Sequence, residues 1–306
     1  MGLTRDVDGR EVDPDVAQLY ATMRERGLTT YEEVGAAAAR RMVAASTKLQ
    51  GPAPDLPAVS GTVGGVDVRT FRSGSGGTVI AYLHGGGWVT GDLDVADTPC
   101  RQLAEATRSD VVAIGYRRAP EHPFPTAHDD ALAAVLGLRK ERPDDPLVLV
   151  GDSAGGNLAA TLTLRRPDVV DGLVLLYPPI SPPGSEPTPS TRVNAADPIL
   201  PATTMAFFWD SYRGPEPAPA DGRLDPTLVA VPAGHPATFV LTCGLDVLRD
   251  EGAAYARRLA AAGVDVTHHD EPGLMHGYLW MAGLFPDQVT RTLARLDGWI
   301  ARRPRD

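Results

Sequence analysis

A serine set among small residues is the strongest chemical signal in this sequence. The run 151–156 reads GDSAGG and follows a short apolar stretch, 147–150, which is typical of a buried strand. Helix-like sequence follows it. A tight turn from strand to helix needs small neighbours and presents the serine hydroxyl at the edge of a sheet. The pattern therefore predicts Ser153 as the nucleophile of a serine hydrolase, with the Ala154 N–H free at the start of a helix.

A run of three glycines is the second signal, because glycine lets backbone N–H groups approach a ligand closely. The segment 84–88 reads HGGGW and directly follows an apolar stretch. The sequence predicts that the N–H groups of Gly85 and Gly86, together with that of Ala154, bind the oxyanion of an acyl-transfer intermediate. His84 is expected to hold the loop by hydrogen bonds, and a flexible turn is the alternative interpretation.

These motifs resemble those of the hormone-sensitive-lipase group of α/β hydrolases, which includes many bacterial carboxylesterases. The matching segments appear in the order of the family, and they are 82–88 (YLHGGGW), 116–125 (YRRAPEHPFP), 151–156 (GDSAGG), 246–252 (DVLRDEG) and 276–278 (HGY). The resemblance implies an α/β-hydrolase fold with a mostly parallel central sheet, flanking helices and a helical cap. It also implies an esterase that prefers short to medium acyl chains. The sequence departs from the residues usual in the family at Arg118, Val247 and Tyr278, none of which has a catalytic role.

The general base and its acid partner are predicted from the chain order Ser, Asp, His of α/β hydrolases. His276 lies in a glycine-containing loop after the last predicted strand. Apart from His84 in the glycine run, the other histidines lie in strand patterns, beside prolines or before helix-like sequence. Asp246 comes just after the predicted strand 238–242, and it would orient His276 and stabilise the imidazolium that forms. Asp250 is the rival acid, but N-capping of the following helix is a sufficient explanation for it.

Substrate contacts are predicted from position along the chain. Trp88 and Tyr278 flank the predicted catalytic groups and are expected to line the pocket. Asp152 and Glu121 are expected to hydrogen-bond the loops and to take no part in the chemistry. The sequence contains no HExxH zinc motif, no Walker loop and no GxGxxG after a strand, so we expect neither a metal nor an organic cofactor.

The strands and helices that position these residues are predicted from a regular pattern. After about residue 78, short apolar segments alternate with helix-like segments, which is typical of βαβ units. The last predicted strand alternates apolar and polar residues, which favours a sheet edge. The predicted strands are 78–83, 111–114, 147–150, 173–176, 238–242 and 264–268.

Two regions fall outside this alternation. Residues 1–50 look helical, and residues 181–226 are rich in proline but carry four aromatic residues between 207 and 212. We interpret both as cap segments over a hydrolase core formed by 51–180 and 227–306. Packing inside the cap is the expected role of most of these rings.

The composition is ordinary for a globular chain of 306 residues, and the formal net charge is −10. This acidity argues against nucleic acid or an anionic membrane as a partner. The predicted hydrolase chemistry makes a small-molecule ester the expected partner. The two cysteines, Cys100 and Cys243, form neither a disulfide framework nor a thiolate metal site. The charged N-terminal residues and the lack of a membrane-spanning apolar run predict a cytoplasmic protein. An exposed last strand allows a homodimer without requiring one.

Three alternatives to a simple esterase stay open on sequence grounds. A biosynthetic tailoring enzyme on the same fold would transfer acyl groups, form lactones or eliminate water, and plant proteins that resemble this family include dehydratases. A non-catalytic binding protein is less favoured, because the plant gibberellin receptors that resemble this family lack the catalytic histidine and His276 is present here. Amide substrates are the third alternative, since the same triad serves both bonds.

Overall fold

A mostly parallel eight-stranded sheet forms the centre of the protein. The structure is a computed structural model that describes residues 4–5, 9–27, 29–74, 77–184, 186–215 and 222–303. The strands within these ranges are β1 (Thr4–Arg5), β2 (Glu11–Val12), β3 (Ala58–Val63), β4 (Val66–Phe71), β5 (Val79–Leu83), β6 (Asp110–Ile114), β7 (Leu147–Asp152), β8 (Gly172–Leu176), β9 (Thr238–Leu245) and β10 (Val266–Met275). The first two form a separate antiparallel pair.

The strand order in the main sheet is β10-β9-β8-β7-β5-β6-β4-β3. The strands from β5 to β10 pair in parallel, and β3 and β4 join them antiparallel at one edge. The predicted α/β class is confirmed, as is the edge position of the last strand. The sequence prediction misses β3 and β4. Strand β3 is exposed along most of its length and β4 is not buried continuously, so neither has the apolar run of a strand covered on both faces.

Helices cover both faces of the sheet. Within the described residues they are α1 (Pro14–Arg26), α2 (Tyr31–Ser46), α3 (Asp97–Thr107), α4 (Thr126–Glu141), α5 (Ala154–Arg165), α6 (Pro189–Val193), α7 (Ala202–Arg213), α8 (Arg249–Ala261) and α9 (Pro286–Ile300). Alternate residues of β5 enter two different cores, one shared with α4, α5 and α8 and the other with α3 and α9. No helix in these described ranges has the length and apolarity needed to cross a membrane.

The helices outside the βαβ alternation contact one another. The Tyr31 ring of α2 lies 5.7 Å from the Phe208 ring of α7. The Thr204 hydroxyl of α7 donates to the Glu32 carboxylate of α2 at 2.7 Å. Two segments that are far apart in the sequence therefore pack against each other.

The predicted role of Asp250 is wrong. Helix α8 begins at Arg249, so Asp250 lies inside its first turn and is not the N-cap. Its carboxylate accepts the Ser190 N–H at 2.7 Å, and the Ser190 hydroxyl accepts the Asp250 N–H at 3.1 Å. These two bonds connect Asp250 at the start of α8 to Ser190 of α6, which lies 60 residues earlier in the chain.

Candidate active site

Four strands end at the same edge of the sheet, each just before a predicted functional residue. Strand β5 ends before the glycine run 84–88, and β7 ends before Ser153. Strands β9 and β10 end directly before Asp246 and His276. Because these strands are parallel, their carboxyl ends meet at one edge, which is where open α/β sheets bind ligands.

Ser153 lies on a strained turn, with φ 48° and ψ −124°. Such a conformation costs of order 1–3 kcal/mol and persists only where the surroundings impose it. Here the Ser153 N–H donates to the Leu176 carbonyl of β8 at 2.9 Å. A Cβ on Gly151 would lie 2.2 Å from the Gly155 carbonyl oxygen, and one on Gly155 would lie 2.0 Å from the Leu83 carbonyl oxygen. The small residues of the GDSAGG run are therefore required by this turn.

Hydrogen bonds connect Ser153, His276 and Asp246. His276 Nε2 lies 2.9 Å from Ser153 Oγ, and His276 Nδ1 lies 2.7 Å from Asp246 Oδ2. The other carboxylate oxygen of Asp246 accepts the Leu248 N–H at 2.9 Å. The Tyr177 ring packs edge-on against the imidazole, with 4.8 Å between ring centroids. Ser153 and His276 retain 9% and 7% exposure, whereas Asp246 has only 1%, so the acid end of this chain of bonds is the end most shielded from solvent.

The structure contradicts the prediction that the Gly85 N–H binds an oxyanion. Gly85 is the first glycine of the run 84–88, which we call the glycine turn. The Gly85 N–H donates to Asp152 Oδ1 at 2.8 Å, so it is not free to bind an oxyanion. The N–H groups of Gly86, Gly87 and Ala154 donate to no group in the part of the chain that the structure describes. Sequence reasoning misses Gly87, although the third glycine of the run was a signal that could have found it.

Asp152 anchors the glycine turn to the end of β7, directly before Ser153. The same Oδ1 that binds Gly85 also accepts the Tyr82 hydroxyl at 2.6 Å. Burial raises the pKa of Asp152 to about 6, although these hydrogen bonds and the nearby His276 act in the opposite direction. His84 Nδ1 lies 2.8 Å from the Gly85 carbonyl oxygen. Both contacts agree with the loop-holding roles predicted for Asp152 and His84.

The two rings predicted to line the pocket are packed inside the protein. Trp88 and Tyr278 have no exposed surface. Trp88 stacks on Tyr212 of α7 with 4.5 Å between centroids, and the Tyr278 hydroxyl hydrogen-bonds the Thr292 hydroxyl of α9 at 2.6 Å. Because α7 and α9 cover these rings, their placement does not support substrate contact.

A cavity of about 450 Å³ lies beside the loop that carries Asp246, which we call the acid loop (residues 244–248). Its wall is mostly apolar and is built by residues 180–184 and 186–191, by α7 and by α8. Val247 and Leu248 of the acid loop belong to this wall, whereas Ser153 does not.

Three carboxyl residues line the cavity, namely Glu186, Asp250 and Glu251. Glu251 accepts the Ile180 N–H at 3.2 Å, and burial raises the pKa of Glu251 to about 8. Within the described ranges, no cluster of three or more His, Cys, Asp or Glu side chains is arranged to hold a metal ion.

Comparison with known proteins identifies the family. A profile of the alpha/beta hydrolase fold matches residues 80–280. The chain is 39% identical over 229 residues to esterase LipI of Mycobacterium tuberculosis, and the match covers 70% of this chain and 69% of the relative. It is 36% identical over 225 residues to ethyl acetate hydrolase of Pseudomonas putida, and that match covers 69% of each chain. The solved structure of ester hydrolase EH1AB1, from the metagenome of Lake Arreo, matches with a TM-score of 0.85 and 30% identity, over 94% of this chain and 98% of that one.

The chain therefore belongs to the hormone-sensitive-lipase-like group of α/β hydrolases. Its relatives in this group define it as a carboxylesterase-type hydrolase.

Proposed function

We propose that the protein hydrolyses carboxylic esters through an acyl-enzyme on Ser153. The hydrogen-bonded chain from Ser153 through His276 to Asp246 carries this proposal. His276 Nε2 takes the hydroxyl proton while Ser153 Oγ attacks the ester carbonyl, and Asp246 orients the ring and stabilises the imidazolium. The alcohol then leaves with the proton from His276. Water cleaves the acyl-enzyme by the same route and regenerates the serine.

In this proposal the oxyanion is bound by the N–H groups of Gly86, Gly87 and Ala154. Their lack of a partner among the described residues supports the assignment. So does the closeness of the turn to the nucleophile, because a Cβ on Gly85 would lie 3.1 Å from Ser153 Cβ. Fixed donors of this kind need no reorganisation during the reaction, and removing one typically costs about 3–4 kcal/mol of transition-state stabilisation.

We further propose that the cavity beside the acid loop takes one chain of a short to medium ester. Its size, about 450 Å³, and its apolar wall support this choice. Similarity to a protein named ethyl acetate hydrolase also favours small esters. The segments 1–50 and 181–226 would then act as a cap over the core formed by 51–180 and 227–306.

Replacement of the nucleophile tests the mechanism. In Ser153→Ala, hydrolysis of p-nitrophenyl butyrate should fall to the uncatalysed rate, and a fluorophosphonate should no longer label the protein. Ser46→Ala is the matched control, because among the described residues the Ser46 hydroxyl bonds only a local carbonyl at the end of α2. Wild-type turnover by Ser153→Ala would contradict the proposal. Labelling of Ser153 without hydrolysis of any simple ester would favour the tailoring enzyme, and ligand binding without labelling would favour the binding protein.

A homodimer and a cytoplasmic location stay predictions. Strand β10 forms one edge of the sheet. The Asp13 N–H donates to the Gly273 carbonyl of this strand at 3.0 Å, so that part of the edge is already paired. The stretch 266–271 is the part of this edge that a second copy would pair with. Sedimentation velocity over a range of concentrations tests this, and a single monomeric species throughout would contradict it.

A further inference from the structure

The acid loop is held by side chains that come from outside the sheet. The Asp246 carbonyl accepts the side-chain amide of Asn194 at 3.0 Å. The Val247 carbonyl accepts two hydroxyls, those of Ser190 and Thr191, at 3.0 and 3.1 Å. Two consecutive carbonyl groups of the loop therefore depend on one short segment, which includes α6 and the residue that follows it.

Asn194 is itself fixed from the N-terminal side of the chain. Its residue is 1% exposed, and its side-chain oxygen accepts a hydrogen bond from the Arg10 guanidinium. Because an amide oxygen only accepts and an amide nitrogen only donates, this contact directs the nitrogen toward the acid loop. The Asn194 carbonyl accepts the Asp197 N–H at 2.9 Å, and the Asp197 carboxylate accepts the Tyr20 hydroxyl. The segment 190–197 therefore contacts the acid loop on one side and the N-terminal residues Arg10 and Tyr20 on the other.

We propose that Asn194 is a positioning residue that places the Asp246 carboxylate against His276. Asp246 lies one residue beyond the end of β9. Among the described residues, its carbonyl has, apart from Asn194, only a long contact of 3.3 Å with the Arg249 N–H. Loss of the amide would leave a buried carbonyl poorly satisfied, and the loop would rotate to find another donor. The carboxylate on the same residue would then move from its 2.7 Å contact with the imidazole. This inference rests on the proposed role of Asp246 as the acid.

A double-mutant cycle tests whether Asn194 acts through Asp246. Asn194→Ala should lower kcat about tenfold while KM changes less than about twofold, because a misplaced catalytic group slows the chemical step without weakening substrate binding. In the Asp246→Asn background, the same substitution should change kcat by less than about twofold, since two residues that act as one unit are not additive. Turnover of an activated p-nitrophenyl ester is measured after subtraction of the Ser153→Ala rate.

Gln50→Ala is the matched control. The buried Gln50 side-chain amide also donates to a backbone carbonyl, that of Val95 at 2.8 Å, but far from the acid loop. It should lower the melting temperature and leave kcat unchanged. If Asn194→Ala does not fold, Asn194→Leu enters the same cycle, because leucine is close to asparagine in shape and removes the amide donor without adding a charge.

Each outcome of the cycle decides the proposal. An equal loss of kcat in both backgrounds, or no loss in the wild-type background, overturns the positioning role while the acid assignment stands. Wild-type turnover by Asp246→Asn alone would overturn the acid assignment, and the positioning role with it. If Asn194→Ala lowers kcat only when Asp246 is present, the result supports both the acid assignment and the positioning role.

Discussion

At Asp152 a single carboxylate oxygen accepts both the Gly85 N–H and the Tyr82 hydroxyl, at 2.8 and 2.6 Å. Burial raises the pKa of this carboxyl group to about 6 from its ordinary value near 4. In the interval between these two values the folded protein keeps a proton that the unfolded chain releases. Stability from this group is therefore present in acid and decreases as pH rises through the interval.

Asp152→Asn should remove this pH dependence. The amide keeps one oxygen for both donors, so the glycine turn stays anchored, but the group no longer titrates. Thermal melts between about pH 4 and pH 6 should fall less steeply with pH for the variant than for the wild type. Asp152→Ala is the comparison, because it loses both hydrogen bonds and should also lower kcat. Melting temperatures of Asp152→Asn that follow the wild type at every pH would contradict the argument.

Gly87→Ala should damage the proposed oxyanion site. Gly87 has φ 58°, and a Cβ there would lie 2.1 Å from the Phe208 ring, so the turn must shift. Displacing one oxyanion donor should lower kcat about 100-fold. Gly74→Ala is the matched control, because Gly74 also has a positive φ of 76° but a Cβ there meets no described residue within 4 Å. Equal kcat values for the two variants would exclude Gly87 as a donor.

At the scale of elements, Arg40 connects helix α2 to the loops on the carboxyl side of the sheet. Its guanidinium donates to the Val89 carbonyl and to the Ala119 carbonyl, each at 2.8 Å. It also pairs with both oxygens of Glu121, at 2.8 and 2.6 Å. Glu121 is half-exposed, with 55% of its side chain accessible, so solvent screens its share of the contact. The two carbonyl bonds should therefore supply most of the stabilisation.

Arg40→Ala should lower the free energy of unfolding by about 1.5–3 kcal/mol, the usual range for hydrogen bonds to a charged group. Glu121→Gln should lower it by less than about 1 kcal/mol, as for an exposed ion pair. Urea denaturation of both variants measures the difference. Equal losses would show that the ion pair, and not the pair of carbonyl contacts, holds the helix.

At the scale of the whole molecule, the cavity joins residues 180–184 and 186–191, α7 and α8 to the acid loop. Its wall is built by residues that are far apart in sequence, and Met205 and Trp209 of α7 close it on one side. Trp209 also packs on Trp88 of the glycine turn, with 4.3 Å between centroids. The same helix thus bounds the proposed substrate chamber and covers the proposed oxyanion site.

Met205→Trp should shorten the range of acyl chains that the enzyme accepts. A larger ring on the cavity wall removes space, so kcat/KM for an octanoyl ester should fall more than kcat/KM for an acetyl ester. Phe207→Trp is the matched control, because Phe207 lies on the same helix but not on the cavity wall. A series of p-nitrophenyl esters of increasing length gives the comparison, and an unchanged ratio would contradict the assignment of the cavity to the acyl chain.

The sequence alone determined what depends on neighbours along the chain. The positions of the buried strands along the chain could be predicted from apolar runs, because strands covered on both faces have few polar residues. The Ser153 turn could be read from GDSAGG, because a Cβ at Gly151 or Gly155 collides with backbone a few residues away or on the adjacent strand. Asp246 and His276 could be selected because each follows a recognisable strand.

The tertiary structure alone decided what depends on neighbours in space. The parallel pairing of β5 with β7 brings the Asp152 carboxylate to Gly85, and this contact determines which glycine N–H groups are free. Packing of α7 and α9 buries Trp88 and Tyr278, two rings whose chain positions suggested a pocket. The contacts of Asp250 and Asn194 join segments more than 50 residues apart, and no local pattern in the sequence indicates them.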